Sequence, residues 1–261
     1  MPPTPAPVPS VRPVALVTGG ARRIGQAICL ALARAGCDVV LTYNRSRDDA
    51  ERTAAYARAQ GVNALAHGIA FDEAANLPSA LDALAAIRPR WDVLVHSAST
   101  YELSPLAGLS PERLLRDYTV NAVAPLLLSR ALAPALAHSP LPGGGAIVAM
   151  ADIHALGEHG LPRKDFASYA MSKAALVEMV RSLARELAPR IRVNALAPGV
   201  VAWPESGHEA DQAAQRAYLS RVPLDRAGTP EDAAEAVRWL ALDAHYITGE
   251  VIRLDGGRSM L

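Results

Sequence analysis

Val14-Ala15-Leu16-Val17, an unbroken apolar run, leads at once into Thr18-Gly19-Gly20-Ala21-Arg22-Arg23-Ile24-Gly25. Helical spacing then runs from Ile24 to Ala35 and stops at Gly36. A short apolar run bounded by glycines reads as a buried strand. Glycines let the backbone turn tightly and approach a ligand closely. The helix start that follows offers free N–H groups and the positive end of a dipole, which suits a phosphate. Strand, glycine turn and helix in that order are the local signature of a dinucleotide site, with Gly19, Arg23, Ile24 and Gly25 as candidate contacts.

Outward from this unit the same alternation continues. Strands are expected at Asp38–Thr42, near 62–69, at Trp91–Val95, Gly145–Met150 and Ile191–Leu196, and around Val251–Leu254. Helical patterns lie between them, at Asp48–Gln60, from about Asn76 to Ile87, over Pro111–Ala137 as one long or two broken helices, and at Ser168–Leu187. Two more precede the last strand, near Asp211–Ser220 and Pro230–Leu242. This order predicts an α/β fold: a single domain over 13–261, with a doubly wound parallel sheet and helices on both faces. Ligands of such sheets bind beyond the carboxyl ends of the strands, so informative residues belong there.

The end of the second strand reads Thr42-Tyr43-Asn44-Arg45-Ser46-Arg47. A site for an unphosphorylated ribose places a carboxylate here. Asn44, Arg45 and Ser46 instead offer a guanidinium and a hydroxyl, which favour a 2′-phosphate; a solvated arginine at a helix start is the alternative. Asp72 follows the third strand and suits either an adenine amino group or the N-cap of the next helix.

Ser168-Tyr169-Ala-Met-Ser172-Lys173 sets a phenol and an ammonium one helical turn apart. A tyrosine titrates near pH 10, and a neighbouring lysine is expected to lower that value. The pair is a candidate proton donor or acceptor.

The chain has 261 residues, 51% of them hydrophobic, enough for a large core. Lys+Arg and Asp+Glu both number 26, so the net charge of zero gives no nucleic-acid surface or polybasic anchor. Cys29 and Cys37 form neither a disulfide framework nor a metal spacing, as expected of a cytoplasmic protein. The proline-rich start, 1–12, reads as a disordered tail, neither a signal nor a membrane helix. His154 and His159 lack a third ligand, so no metal is expected. His67, His138, His208 and His245 are scattered, and Arg181–Arg190 reads as a solvated helix face. The segment Val200–Val222, with Trp203, Pro204 and Gly207, resembles a substrate lid.

Turn, strand order and Tyr169/Lys173 together resemble the short-chain dehydrogenase/reductase family over nearly the whole chain. Asn121, Pro198-Gly199 and Asp255-Gly256-Gly257 add to the match. His96-Ser97-Ala98-Ser99 stands where most members carry Asn-Asn-Ala-Gly, and Asp152 where most carry serine. Those departures, Arg23, Asn44-Arg45-Ser46 and the aromatic Tyr101 resemble the pteridine reductases, with dihydromonapterin and dihydrobiopterin reductases as the nearest type. The resemblance implies NADPH as cofactor and reduction of a dihydropterin or dihydrofolate. It implies that Lys173 bonds the nicotinamide ribose, that Asn121 holds a water for proton exchange, and that Ala98, Ser99, Pro198 and Gly199 border the cofactor. Arg23, Ser99, Tyr101, Asp152 and Tyr169 would contact substrate, Tyr101 by stacking on the pterin. An ionised aspartate only accepts hydrogen bonds, so Asp152 suits a ring bearing N–H better than a ketone. Relatives are commonly homotetramers; the apolar side Leu176, Val180 and Leu183 would either serve that contact or face the core. The competing expectations are a carbonyl reductase for a 3-oxoacyl thioester or sugar ketone, and a non-catalytic nucleotide sensor.

Overall fold

The apolar run Val14–Thr18 forms β1, and the glycine turn delivers the chain into α1, Arg23–Arg34. In the computed structural model, which describes residues 12–73, 77–156, 163–203 and 210–260, the alternation then repeats. It runs β2 (Asp38–Tyr43), α2 (Arg47–Arg58), β3 (Ala64–Gly68), α3 (Leu77–Ala85), β4 (Val93–His96), α4 (Pro111–Tyr118) and α5 (Ala124–Leu136). The second half comprises β5 (Gly145–Met150), α6 (Ala167–Leu187), β6 (Ile191–Pro198), α7 (Gln212–Leu219), α8 (Pro230–Leu242) and β7 (Val251–Leu254). All strands pair in parallel, in the order β3-β2-β1-β4-β5-β6-β7. The winding direction reverses between β1 and β4, and a cleft for ligands opens at such a reversal.

Alternate residues of each strand serve two separate cores, as the period of two demands. Ala15 and Val17, Val39 and Leu41, and Val93 and Val95 pack beneath α1, α2 and α8. Leu16, Val40, Leu94, Ile147 and Val193 pack beneath α3, α5 and α6. The expected elements are all present. The main differences sit at strand ends: β4 extends to His96 and β6 to Pro198, because pairing with β1 and β7 continues that far.

Leu176, Val180 and Leu183 are all buried against the sheet, so the apolar side of α6 faces the core and offers no subunit contact. The stretch Pro111–Leu136 is long and apolar enough to cross a membrane by composition alone, yet half of it is buried, with Leu128, Leu132 and Leu136 fully covered. It is a core helix pair. Between α4 and α5 one wide π-turn, Thr119–Val123, shifts the helical register around Asn121. The solvated face expected along Arg181–Arg190 is present, with Arg181, Arg185 and Arg190 exposed. Asn76, the start 1–11, His159, His208, Pro204 and Gly207 lie outside the described residues.

Candidate active site

Two glycines shape the phosphate-binding turn. Gly19 adopts φ +67°, and a Cβ there would meet the Cα of Ala98 at 2.8 Å. A Cβ on Gly25 would lie 2.1 Å from the Gly19 carbonyl oxygen, so only glycine lets α1 close onto the turn. Thr18 Oγ1 accepts the N–H groups of Ser97 and Ala98, and Thr42 Oγ1 accepts that of Gly19. The turns after β1 and β4 and the end of β2 are thereby locked together. α1 opens without an acidic residue in its first turn and without a capping side chain, which leaves its N–H groups to an anion. Ile24 is partly buried and anchors this helix start in the core.

Arg23 has φ 53°, a strained left-handed backbone for an arginine. Its Nη2 donates to the carbonyls of Ala202 (2.9 Å) and Trp203 (3.0 Å). One guanidinium nitrogen thereby fastens the turn to the segment after β6. Asn44 and Arg45 are exposed and Ser46 is half-buried, directly after β2. Among the described residues no carboxylate pairs with Arg45. A dinucleotide fits this donor set. Asp72 faces Arg116 at 4.0 Å.

The proton-transfer group is assembled from β5 and α6. Lys173 Nζ is buried and donates to the Met150 carbonyl at 2.7 Å, at the end of β5. Asp152 follows two residues later. Its Oδ1 accepts the N–H of His154 at 2.8 Å, capping a 3-10 turn over Ile153–Ala155. Its Oδ2 accepts the phenol of Tyr169 at 2.8 Å. One oxygen of Asp152 thus caps the turn that follows it and the other holds the phenol.

The electrostatics correct one expectation. Burial first, then the Asp152 carboxylate, push the Tyr169 phenol well above its usual range. The Lys173 charge does not offset them: its ammonium is turned to Met150 and stands 5.7 Å from the ring centroid. Burial lowers Lys173 itself to about 8, with Asp152 opposing that shift. Tyr169 is therefore held as a neutral donor, aimed at a carboxylate.

Asn121, in the π-turn, is buried and uses its whole amide within the protein. Its Oδ1 accepts Ser99 Oγ (3.0 Å) and Thr100 N (2.9 Å), and its Nδ2 donates to Thr100 O (3.2 Å) and Ser172 Oγ (2.9 Å). This side chain thereby braces the loop after β4 against α6. Ser99 is exposed beside Ala98 but is part of the same brace. Asp117, one turn earlier, is missed by sequence reasoning. It is 1% exposed and accepts Ser168 Oγ (2.6 Å), Thr100 Oγ1 (2.8 Å) and Arg113 Nε (3.0 Å). Burial alone would raise its carboxyl; the bonds from Ser168, Thr100 and Arg113 hold it below the usual range.

Tyr101 stacks on Phe166 at 4.9 Å and meets the Tyr169 ring edge-on at 5.0 Å. Its hydroxyl is bonded to Arg163, whose guanidinium lies 4.4 Å from the Phe166 centroid. One face of Tyr101 is thus already covered, where a face for a substrate ring was expected. Phe166 and Arg163, which belong to no recognisable motif, are thus drawn in around Tyr169. Pro198 is buried at the end of β6, and Gly199 N donates to Leu254 O at 2.9 Å, aligning the following segment with β7. His96 is buried, bonded to Ser129 at 2.9 Å, and lowered to about 3 by burial and by the Lys173 charge. It replaces an asparagine as a neutral wall residue, lining a small cavity with Thr18, Phe71 and Ala98.

Among the described residues no cluster of His, Cys, Asp and Glu could hold a metal ion, and Cys29 and Cys37 are free and buried. A family model described as "Enoyl-(Acyl carrier protein) reductase" matches residues 19–259. An oxidoreductase of Methylorubrum extorquens is 34% identical, with 94% of this chain and 96% of that protein covered. A 3-oxoacyl-[acyl-carrier-protein] reductase of Synechocystis is 32% identical over 95% of this chain and 97% of that one. A crystal structure of acetoin dehydrogenase from Salmonella typhimurium superposes with TM-score 0.83 at 28% identity, covering 96% of this chain and 97% of that one. A Serratia marcescens short-chain dehydrogenase/reductase gives TM-score 0.82 at 34% identity, over 95% and 98% of the two chains. Fold, glycine turn, the Tyr169/Lys173 helix and these similarities agree: the chain is an oxidoreductase of the short-chain dehydrogenase/reductase family, which works with a nicotinamide cofactor.

Proposed function

We propose that this protein reduces a dihydropterin or dihydrofolate to its tetrahydro form with NADPH. The observation that carries the reading is the 2.8 Å bond from the Tyr169 hydroxyl to Asp152 Oδ2. A carbonyl substrate needs a hydroxyl donor beside the tyrosine, and an ionised carboxylate is no donor. A pterin ring presents N–H groups that a carboxylate accepts, and an imine nitrogen that needs a proton.

NADPH, when bound, supplies the hydride to the ring carbon. The chain supplies the rest. Asp152 accepts a ring N–H and fixes the orientation of the substrate. Tyr169 turns its O–H from Asp152 to the imine nitrogen and delivers the proton. Lys173, pinned by Met150, places a positive charge beneath the phenol as it loses that proton. Arg45, with Asn44 and Ser46, selects NADPH over NADH through the 2′-phosphate. Tyr101, braced by Phe166, closes one side of the substrate space. We further propose a homotetramer, supported by Leu115, Tyr118, Leu126 and Met171, exposed on α4, α5 and α6.

The decisive assay compares NADPH oxidation with dihydrobiopterin, dihydrofolate and an acetoacetyl thioester. Turnover of the pterins is expected, with Tyr169→Phe about 100-fold slower or more. Turnover of the thioester alone overturns the reading. That second reading, a carbonyl reductase, is favoured by relatives named for 3-oxoacyl reduction and acetoin oxidation. Asp152→Ser distinguishes the two: it should abolish pterin reduction and open carbonyl reduction.

A further inference from the structure

After β7 the chain passes through Asp255-Gly256-Gly257 into a 3-10 turn, Arg258–Met260, at the carboxyl edge of the sheet. Asp255 directs both oxygens to the turn's own backbone: Oδ1 accepts Gly257 N–H (2.9 Å) and Oδ2 accepts Ser259 N–H (2.8 Å). Two donors of the same turn are left over. Arg258 is only 8% exposed, and its Nε has no hydrogen-bond partner. The buried Oγ of Ser259 has none either. Among the described residues no carboxylate pairs with Arg258. Its guanidinium stands 5.5 Å from the centroid of the Tyr218 ring.

Tyr218 connects this turn to the reactive group. Its hydroxyl accepts Val200 N–H at 3.2 Å, and its ring meets Trp203 edge-on at 5.6 Å. Burial raises the phenol, the Val200 bond and Arg258 oppose this, and the charges of Asp152 and Asp255 add to it; Tyr218 in turn is felt by Tyr101. The turn therefore borders the same cleft, on the side of β7, whereas the phosphate-binding turn lies on the side of β1. A guanidinium does not shed its proton, and a ring face replaces only part of its lost hydration. A buried cation of this kind is stabilised when an anion meets it.

We propose that Arg258 and Ser259, with Tyr218 as the wall, form a subsite for a carboxylate carried by the substrate. The inference rests on the pterin reading for the choice of substrate pair. Dihydrofolate bears carboxylates and dihydrobiopterin bears none. The test is the ratio of their KM values, dihydrofolate over dihydrobiopterin, in the full-length protein. Arg258→Met should raise the ratio tenfold or more, Arg258→Lys should restore most of it, and Ser259→Ala should raise it severalfold. Added salt should raise the wild-type ratio and leave that of Arg258→Met flat. A purely structural arginine would move both KM values by one factor, and that result overturns the subsite. So does an unchanged ratio in a variant that no longer assembles, which would give the guanidinium to a neighbouring subunit. Should Arg258→Met fail to fold, Arg258→Lys and Ser259→Ala carry the measurement alone. Should the wild type reduce neither pterin, the pterin reading fails by itself. The ratio is then read on acetoacetate against ethyl acetoacetate, where equal effects of the substitutions would refute the subsite.

Discussion

Tyr169 and Lys173 are recognisable from their spacing, but the direction in which the phenol shifts is not. Spacing shows which groups are neighbours; burial and the aim of the ammonium depend on β5, which arrives from a different part of the chain. Asp152 Oδ2 and the Met150 carbonyl divide the pair, the first taking the phenol and the second the ammonium. This has a consequence for pH. Lys173 is depressed to about 8, so its positive charge is present below that value and lost as the pH rises through it. Tyr169, shifted upward, stays protonated across the same range. The rate kcat/KM is therefore expected to fall above about pH 8. Asp152 raises Lys173 through its charge, so Asp152→Asn should move this limb to lower pH. A pH–rate profile from 6 to 10 on both proteins checks it, and an unmoved limb would dissociate Lys173 from the step.

Pro111–Ala137 reads in the sequence as one long or two broken helices, and nothing in it marks the π-turn at Thr119–Val123 that reorients Asn121. Asp117 shows the same limit. With Arg113 four residues before it, it looks like a surface pair on a helix. Its burial emerges only when Thr100 and Ser168, 17 and 51 residues away, close over it. The brace that results joins the loop after β4 to the residue preceding Tyr169. Asp117→Ala would strand two hydroxyls and part of a guanidinium. Arg113 keeps Glu102 at 2.8 Å, so the loss should fall near the low end for a buried pair, about 3 kcal/mol. Urea unfolding measures it, and Ser168→Ala should cost about 1 kcal/mol in the same assay. The glycine turn, by contrast, is legible, because a close approach demands glycine whatever surrounds it. Gly25→Ala sets a methyl 2.1 Å from the Gly19 carbonyl and must push α1 off the turn. A loss of about 1–3 kcal/mol and a raised KM for the nicotinamide cofactor are expected together. A raised KM without destabilisation would mean that the turn yields more easily than its packing implies.

At the scale of the molecule, the parallel sheet follows from the regular exchange of short apolar runs and helical patterns, since parallel strands need crossover connections. What the pattern does not show is that one sheet separates two cores. Leu32 on α1 and Leu132 on α5 are both fully buried, one in each core. Truncating either to alanine should cost about 2–5 kcal/mol. Because the sheet lies between them and they share no partner, the double variant should lose the sum within about 0.5 kcal/mol. β1, β2, β4, β5 and β6 each contribute side chains to both cores, so neither layer can melt while the other stands. A single transition is therefore expected in wild type and variants alike, followed by circular dichroism and tryptophan fluorescence. The nicotinamide cofactor at 100 times its Kd should add about 2.7 kcal/mol to each protein equally, since the dinucleotide turn contacts neither truncated site. Two transitions, or a cofactor increment that vanishes in only one variant, would show that the layers are coupled less tightly than a shared sheet requires.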